Sequence, residues 1–377
     1  LLPYVGLVQK AMTQDVTASL PEYVRDSLLA MYLACCRIKS RQVTIMPSIL
    51  SMIQGQNLPD FLKLGVLESQ SIALRACGDH QESSDLVLNA VRDASFTDIR
   101  AHCQQGRLIL SLVENMILRE KYSEASTLLS SWETKQHPPS RIELQVVRMK
   151  NTVIGRISRY KGDFSHAAEC LNLCLWGVST ETARYHVKFH LADVYCELQR
   201  PEAAEQLLEQ DVAQLKKGTV ASKRVLRRLL LPLAEALILQ SRWEEAESEL
   251  VILIEMFDEM VCPDASDQLG HIRAIIGLAR VAHHRSNYQT TLDRTDEALK
   301  LVEHYSTFAE NTFYGFFLHS LRASMYRKME DSSAVGNCLK LSEQFDQQPR
   351  HFITGLGTYV LKLVRMCEPR GSFSRIQ

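Results

Sequence analysis

Apolar residues return along this chain with the period of a helix. Within 191–208, Leu191, Ala192, Tyr195 and Leu198 fall on one face. A polar break follows, and Ala204, Leu207 and Leu208 open a second apolar stripe. Strand-like alternation is poor, and Pro and Gly are sparse inside the periodic segments, so the pattern predicts helices throughout. The pattern also repeats at long range. A short polar turn followed by a small residue reads Gly78-Asp79-His80-Gln81-Glu82-Ser83 in one place and Gly162-Asp163-Phe164-Ser165-His166-Ala167 in another. It reads Ser241-Arg242-Trp243-Glu244-Glu245-Ala246 in a third. The recurrent small residues are Ser83, Ala125, Ala167, Ala204, Ala246, Thr291 and Ala334, spaced by 42, 42, 37, 42, 45 and 43 positions. A period of this size predicts stacked helical hairpins.

Each unit is numbered so that the recurrent small residue is position 20. Position 8 then holds Ser71, Val113, Gly155, Ala192, Ala234, Ala279 and Arg322. Small residues at both positions predict two helices whose backbones approach closely. Position 17 holds His80, Tyr122, Phe164, Pro201, Trp243, Tyr288 and Asp331, four of them aromatic and suited to fill the gap beneath the turn. Turn-type pairs such as Gly78-Asp79, Gly162-Asp163 and Ser286-Asn287 sit between the helices.

This small-small-aromatic pattern resembles the tetratricopeptide repeat. It is clearest in Leu191-Ala192-Asp193-Val194-Tyr195 followed by Ala203-Ala204, and in Leu233-Ala234 followed by Trp243 and Ala246. The usual family spacing is about 34 residues. The longer spacing is similar to that of kinesin light chains and of the sensor arms of signalling NTPases. The resemblance implies an all-α, right-handed superhelix of about seven hairpins over 61–345. An N-terminal helical cap or diverged repeat is expected over 1–60, with Tyr23 to Cys36 amphipathic. A capping helix, His351 to Met366, and a frayed tail from Arg370 are expected over 346–377.

The resemblance also implies that positions 2, 5, 9 and 12 of each first helix line a concave groove. Carried over, these are Arg107, Leu110 and Glu114 in one unit, and Arg156 and Arg159 in the next. His186, Phe189 and Asp193 follow, then Arg228, Leu231 and Glu235, then Arg273, Ile276, Arg280 and His283, and finally Phe316. Five arginines against Asp193 and Glu235 make the expected groove locally basic and suited to an acidic peptide or a terminal carboxylate. One subtype of the family clamps such a carboxylate with Asn at position 9. That position holds Glu114, Arg156, Asp193, Glu235 and Arg280 here, which does not support the clamp.

The formal net charge of −1 on 377 residues disfavours nonspecific nucleic-acid binding. The longest apolar stretch, Leu229 to Leu239, is interrupted by Pro232 and Glu235 and is too short to span a bilayer. Ten scattered cysteines and the lack of an Asn-x-Ser/Thr sequon favour a reducing setting, cytoplasmic or nuclear. The start at Leu1-Leu2-Pro3 suggests a piece of a longer polypeptide.

Several constellations resemble chemistry. His166, Cys170 and Cys174 share one helix face, but Cys174 falls on a packing position, so core packing is the expected role. His186 and His190, one turn apart with Asp193 beyond, invite a metal or acid–base reading. The two histidines point in different directions under the repeat register. Cys35-Cys36 are expected to include one packed thiol. Gly355-Leu356-Gly357 lacks the strand-then-helix context of a dinucleotide site. Lys223, Arg224, Arg227 and Arg228 read as a solvated helix start. No phosphate-loop, nucleophile-elbow or zincin motif occurs. The expected function is a non-catalytic scaffold or sensor arm for a protein or peptide ligand, without cofactor, metal or membrane. Self-association or autoinhibition within a larger signalling NTPase is the alternative. An enzyme using His186, Asp193 and His283 is the reading from another class.

Overall fold

The computed structural model describes residues 59–77, 79–91, 96–119, 121–176, 180–218, 223–260, 265–304 and 310–345. The cap expected over 1–60, but for its last two residues, the cap expected over 346–377, Cys35-Cys36 and Gly355-Leu356-Gly357 lie outside them. Among the described residues there are fourteen helices and no strand. In pairs they are α1 (Asp60–Cys77) and α2 (His80–Val91), α3 (Ile99–Leu118) and α4 (Tyr122–Ser130), and α5 (Arg141–Tyr160) and α6 (Phe164–Leu175). Then come α7 (Glu181–Glu197) and α8 (Pro201–Lys216), and α9 (Lys223–Leu239) and α10 (Trp243–Asp258). The last pairs are α11 (Ala265–His284) with α12 (Tyr288–His304), and α13 (Glu310–Lys328) with α14 (Ser332–Phe345). The chain divides inside α5 into two compact units, Leu1–Lys150 and Asn151–Gln377.

The repeat register of the sequence is the register of the helices. Position 17 is the first residue of α2, α4, α6, α8, α10 and α12. Two residues earlier the backbone turns left-handed, at Gly162 (φ 82°), Gln199 (57°), Ser241 (60°) and Ser286 (56°). The following amide reaches back five residues in each case: Asp163 N–H to Ser158 O, Arg200 to Tyr195 O, Arg242 to Leu237 O and Asn287 to Ala282 O. That closure satisfies carbonyls that the end of the first helix leaves open. The second helix is then started by Asp163, whose side chain accepts from the His166 amide, or by Pro201 in the first turn.

The last hairpin corrects the sequence register by one residue. Its left-handed residue is Glu330 (φ 61°), and the Asp331 amide bonds to Tyr326 O. α14 therefore begins at Ser332. The structural equivalents of positions 8 and 20 are Ala323 and Val335, not Arg322 and Ala334. Ala323 is fully buried where Arg322 is half-buried, while Val335 and Ala334 are both half-buried.

Close approach is seen where small residues predict it. Ser83, Ala125, Ala167, Ala204, Ala246 and Thr291 are all 0% exposed. A Cβ on Gly155 would come within 2.9 Å of the Leu171 side chain and 3.3 Å of the Ala167 carbonyl, so α5 passes directly against α6. In the first unit the same contact is polar. Ser71 Oγ lies 2.9 Å from Ser83 Oγ and 2.7 Å from Ser111 Oγ, and the Asn115 amide donates to Ser83 Oγ at 2.8 Å. In that unit α1 also packs on α2 and α3. In the second unit each helix from α6 to α14 packs on the next. The first helices also meet directly, α7 on α9 and α9 on α11, over a core that includes Leu229, Leu230, Leu253 and Leu208.

Candidate functional site

The first helices of the second unit carry a row of charges on the face where they meet. Asp193 on α7 is fully buried and takes two arginines. Arg273 on α11 donates to it through Nη2 at 2.9 Å and Nη1 at 3.3 Å. Arg159 on α5 places Nη1 3.0 Å from Oδ2. Burial opposes the Asp193 carboxylate, but Arg159 and Arg273 overcome it and hold its pKa below the usual value. A second pair follows: Arg280 on α11 donates to Glu235 on α9 at 2.6 Å. Glu197, one helical turn beyond Asp193, sits 3.9 Å from Arg159 Nη2. Burial, with Asp193 and Glu235 nearby, pushes the Glu197 carboxyl up to about 8 against the pull of Arg159.

These pairs change the expected basic groove. Arg159 and Arg280 are 4% and 2% exposed, and Arg273 is largely buried. Their charge is met by Asp193 and Glu235 rather than presented to solvent. Two buried charges need each other because either one alone would lose its hydration without compensation.

A small cleft opens between α9 and α11. It is lined by Leu231, Ala234, Glu235, Ile238, Leu250, Arg273, Ile276, Gly277 and Arg280. Five residues expected from the sequence therefore meet here: Leu231, Glu235, Arg273, Ile276 and Arg280. Glu235 Oε1 is buried in the cleft wall without a hydrogen-bond partner. Phe189 on α7 is half-buried against the core, and Phe316 on α13 packs against Ile272 and its neighbours.

The remaining expected residues lie elsewhere. Arg107, Leu110 and Glu114 belong to α3 in the first unit, where Leu110 is buried and Arg107 Nε lies 3.9 Å from Glu68. His186 stands edge-on to His190 with ring centroids 4.7 Å apart, and Arg156 and Arg228 are half-buried. The proposed acid–base trio is dispersed. Both Asp193 oxygens are taken by arginines, and His283 sits 3.4 Å from Ser324 Oγ. Burial, then Lys328 and His284, lowers the His283 pKa to about 4. Cys174 is buried in the α6–α7 core, while Cys170 Sγ lies 3.6 Å from His166 Nε2. Among the described residues no group of three or more His, Cys, Asp or Glu is placed to hold a metal. Among them too, no helix is long and apolar enough to cross a membrane.

Sequence reasoning missed Glu197 and the Arg227–Asp267 pair at 3.4 Å. Glu197 was visible as the residue four beyond Asp193 on the same face. The sequence predicts Arg227 in a solvated helix start, and its side chain is instead largely buried.

No family model matches the chain, and neither does any curated protein. Solved structures do. The Rap protein complexed with competence and sporulation factor aligns at 13% identity and TM-score 0.56, covering 81% of this chain and 85% of that one. NprR in complex with its cognate peptide NprX aligns at 14% identity and TM-score 0.57, covering 92% of this chain and all of that one. Likeness at such identity speaks for the fold alone. Together with the hairpin register, it makes this chain an all-α helical-repeat protein with a tetratricopeptide-like fold.

Proposed function

We propose that the chain is a non-catalytic binding module that receives a peptide or helix on the face formed by α7, α9 and α11. The observation that carries this reading is the α9–α11 cleft, where apolar Leu231, Ile238 and Ile276 converge with Glu235, Arg273 and Arg280. The cleft is shallow and its walls are largely buried, so it would take the tip of one side chain, with half-buried Phe189 and Arg273 making the contact around it. The charges are already paired, so the surface is rigid before any ligand arrives, and a preorganised surface binds at lower entropic cost. The similarity to a fold found with a cognate peptide in NprR, and with competence and sporulation factor in Rap, supports the same reading. The described cysteines Cys103, Cys170, Cys174, Cys196 and Cys338 carry no disulfide, which favours a reducing, cytoplasmic setting.

The test is a peptide-display selection against the chain, followed by affinity measurement on variants. Phe189→Ala should weaken a selected peptide by about tenfold or more, the usual weight of an aromatic anchor. Glu209→Arg, on an exposed position of α8, should leave affinity unchanged. Equal affinity for wild type and Phe189→Ala would rule this face out.

A further inference from the structure

Glu235 divides its two oxygens unequally. Oε2 accepts from Arg280 on α11 at 2.6 Å. Oε1 is buried, and no protein group donates to it. The residue is 8% exposed and lines the α9–α11 cleft, so the open acceptor belongs to the cleft wall. On the α11 side stands Arg273, whose Nη1 and Nη2 each donate to Asp193. A guanidinium carries five N–H donors, and the Arg273 side chain is 12% exposed. The cleft thus presents a carboxylate acceptor from α9 and guanidinium donors from α11, set among apolar Leu231, Ile238 and Ile276. The terminal torsion of a glutamate is broad and two-fold, so a small turn offers Oε1 to an incoming donor while Oε2 keeps Arg280.

Side-chain tips differ in how they meet this pair. An apolar tip covers Oε1 and leaves it unmet, and displacing water without reproducing its bond loses affinity. A carboxylate brings no donor and faces Glu235 with a like charge, so the acidic ligand expected from the groove arginines does not suit this spot. A lysine ammonium brings three donors to one open acceptor, and the apolar walls strip water from the others. A hydroxyl or carboxamide donates to Glu235, accepts from Arg273 and carries no charge into the apolar surround. We infer that the cleft reads a neutral tip that both donates and accepts: the hydroxyl of serine or threonine, or the carboxamide of asparagine or glutamine. The bearer of that tip is the peptide proposed for this face, and the specificity rests on that reading.

The probe is a peptide selected from a display library against the full chain, with its single-position variants titrated by calorimetry. Nuclear Overhauser contacts to the δ-methyl groups of Ile238 and Ile276 mark which peptide residue enters the cleft. That residue should be serine, threonine, asparagine or glutamine. Replacing it by the nearest shape that lacks the donor, threonine by valine or asparagine by aspartate, should weaken binding about tenfold or more. In Glu235→Gln the new carboxamide can itself donate, so an aspartate tip should regain most of the lost affinity. The same penalty in Glu235→Gln as in wild type would mean that Glu235 does not read the tip. If Glu235→Gln fails to fold, the wild-type titrations decide alone. A valine, leucine or lysine that enters the cleft and binds as well as the hydroxyl or carboxamide overturns the specificity and leaves the peptide reading standing. Binding without contact to either methyl, or a library that yields no binder, removes both.

Discussion

Arg273 Nη2 donates to Asp193 Oδ1 at 2.9 Å across eighty positions of sequence. Asp193 belongs to the α7–α8 hairpin and Arg273 to α11–α12, with α9–α10 between them. Stacked repeats ordinarily contact only their neighbours. This pair therefore ties together hairpins that otherwise communicate through α9, and Arg159 extends the tie to α5. Asp193→Ala would leave two buried guanidiniums without their counter-charge. It should destabilise the second unit by about 3–5 kcal/mol, read by denaturant unfolding. A change within experimental error would mean that the pair is not a structural tie.

Glu197 makes stability depend on pH. Its carboxyl is raised from 4.5 to about 8 by burial and the neighbouring acids. The folded chain therefore binds more proton than the unfolded chain between those values, and this contribution to stability falls as pH rises through the window. It is fully present below 4.5 and gone above about 8. Glu197→Gln removes the dependence, so the variant should gain on wild type steadily from pH 5 to 8. Thermal midpoints of the two proteins across that range are the check. Parallel curves would contradict a proton held at Glu197.

Left-handed residues other than glycine close four of the turns, at Gln199, Ser241, Ser286 and Glu330. A Cβ in that conformation costs about 1 kcal/mol, which glycine avoids. Ser241→Gly should accordingly stabilise the protein by about 0.5–1 kcal/mol, less the extra freedom that glycine gives the unfolded chain. Chemical unfolding of the single variant measures it.

Overpacking separates the two registers of the last hairpin. Ala323 is fully buried where α13 meets α14, while Ala334 is half-buried. Ala323→Leu should cost about 1–3 kcal/mol, and Ala334→Leu distinctly less. The reverse order would restore the register expected from the sequence.

Much of the fold was legible because it is written locally. A small residue at position 20, such as Ala204 or Ala246, and a bulky one opening each second helix mark contacts within one hairpin. Both follow from spacing along the chain. The last hairpin slipped by a residue because Asp331 and Arg322 occupy positions that elsewhere carry an aromatic and a small side chain. Only the left-handed turn at Glu330 fixes the alignment. The site was legible only as a set of residue types. Which arginine meets which acid depends on how far each first helix slides past the next. Arg159, Asp193 and Arg273 stand at positions 12, 9 and 2 of three different units and meet only along a slanted row. Sequence periodicity carries no record of that slide, so the arginines read as exposed cations when they are buried partners.

The most direct test of the binding account is hydrogen exchange of the full chain with and without a peptide selected against it. Protection should concentrate on α7, α9 and α11, with the exposed outer positions of α8 and α10 unchanged. Protection confined to second helices, or none at saturating peptide, would contradict the claim that this face receives the ligand.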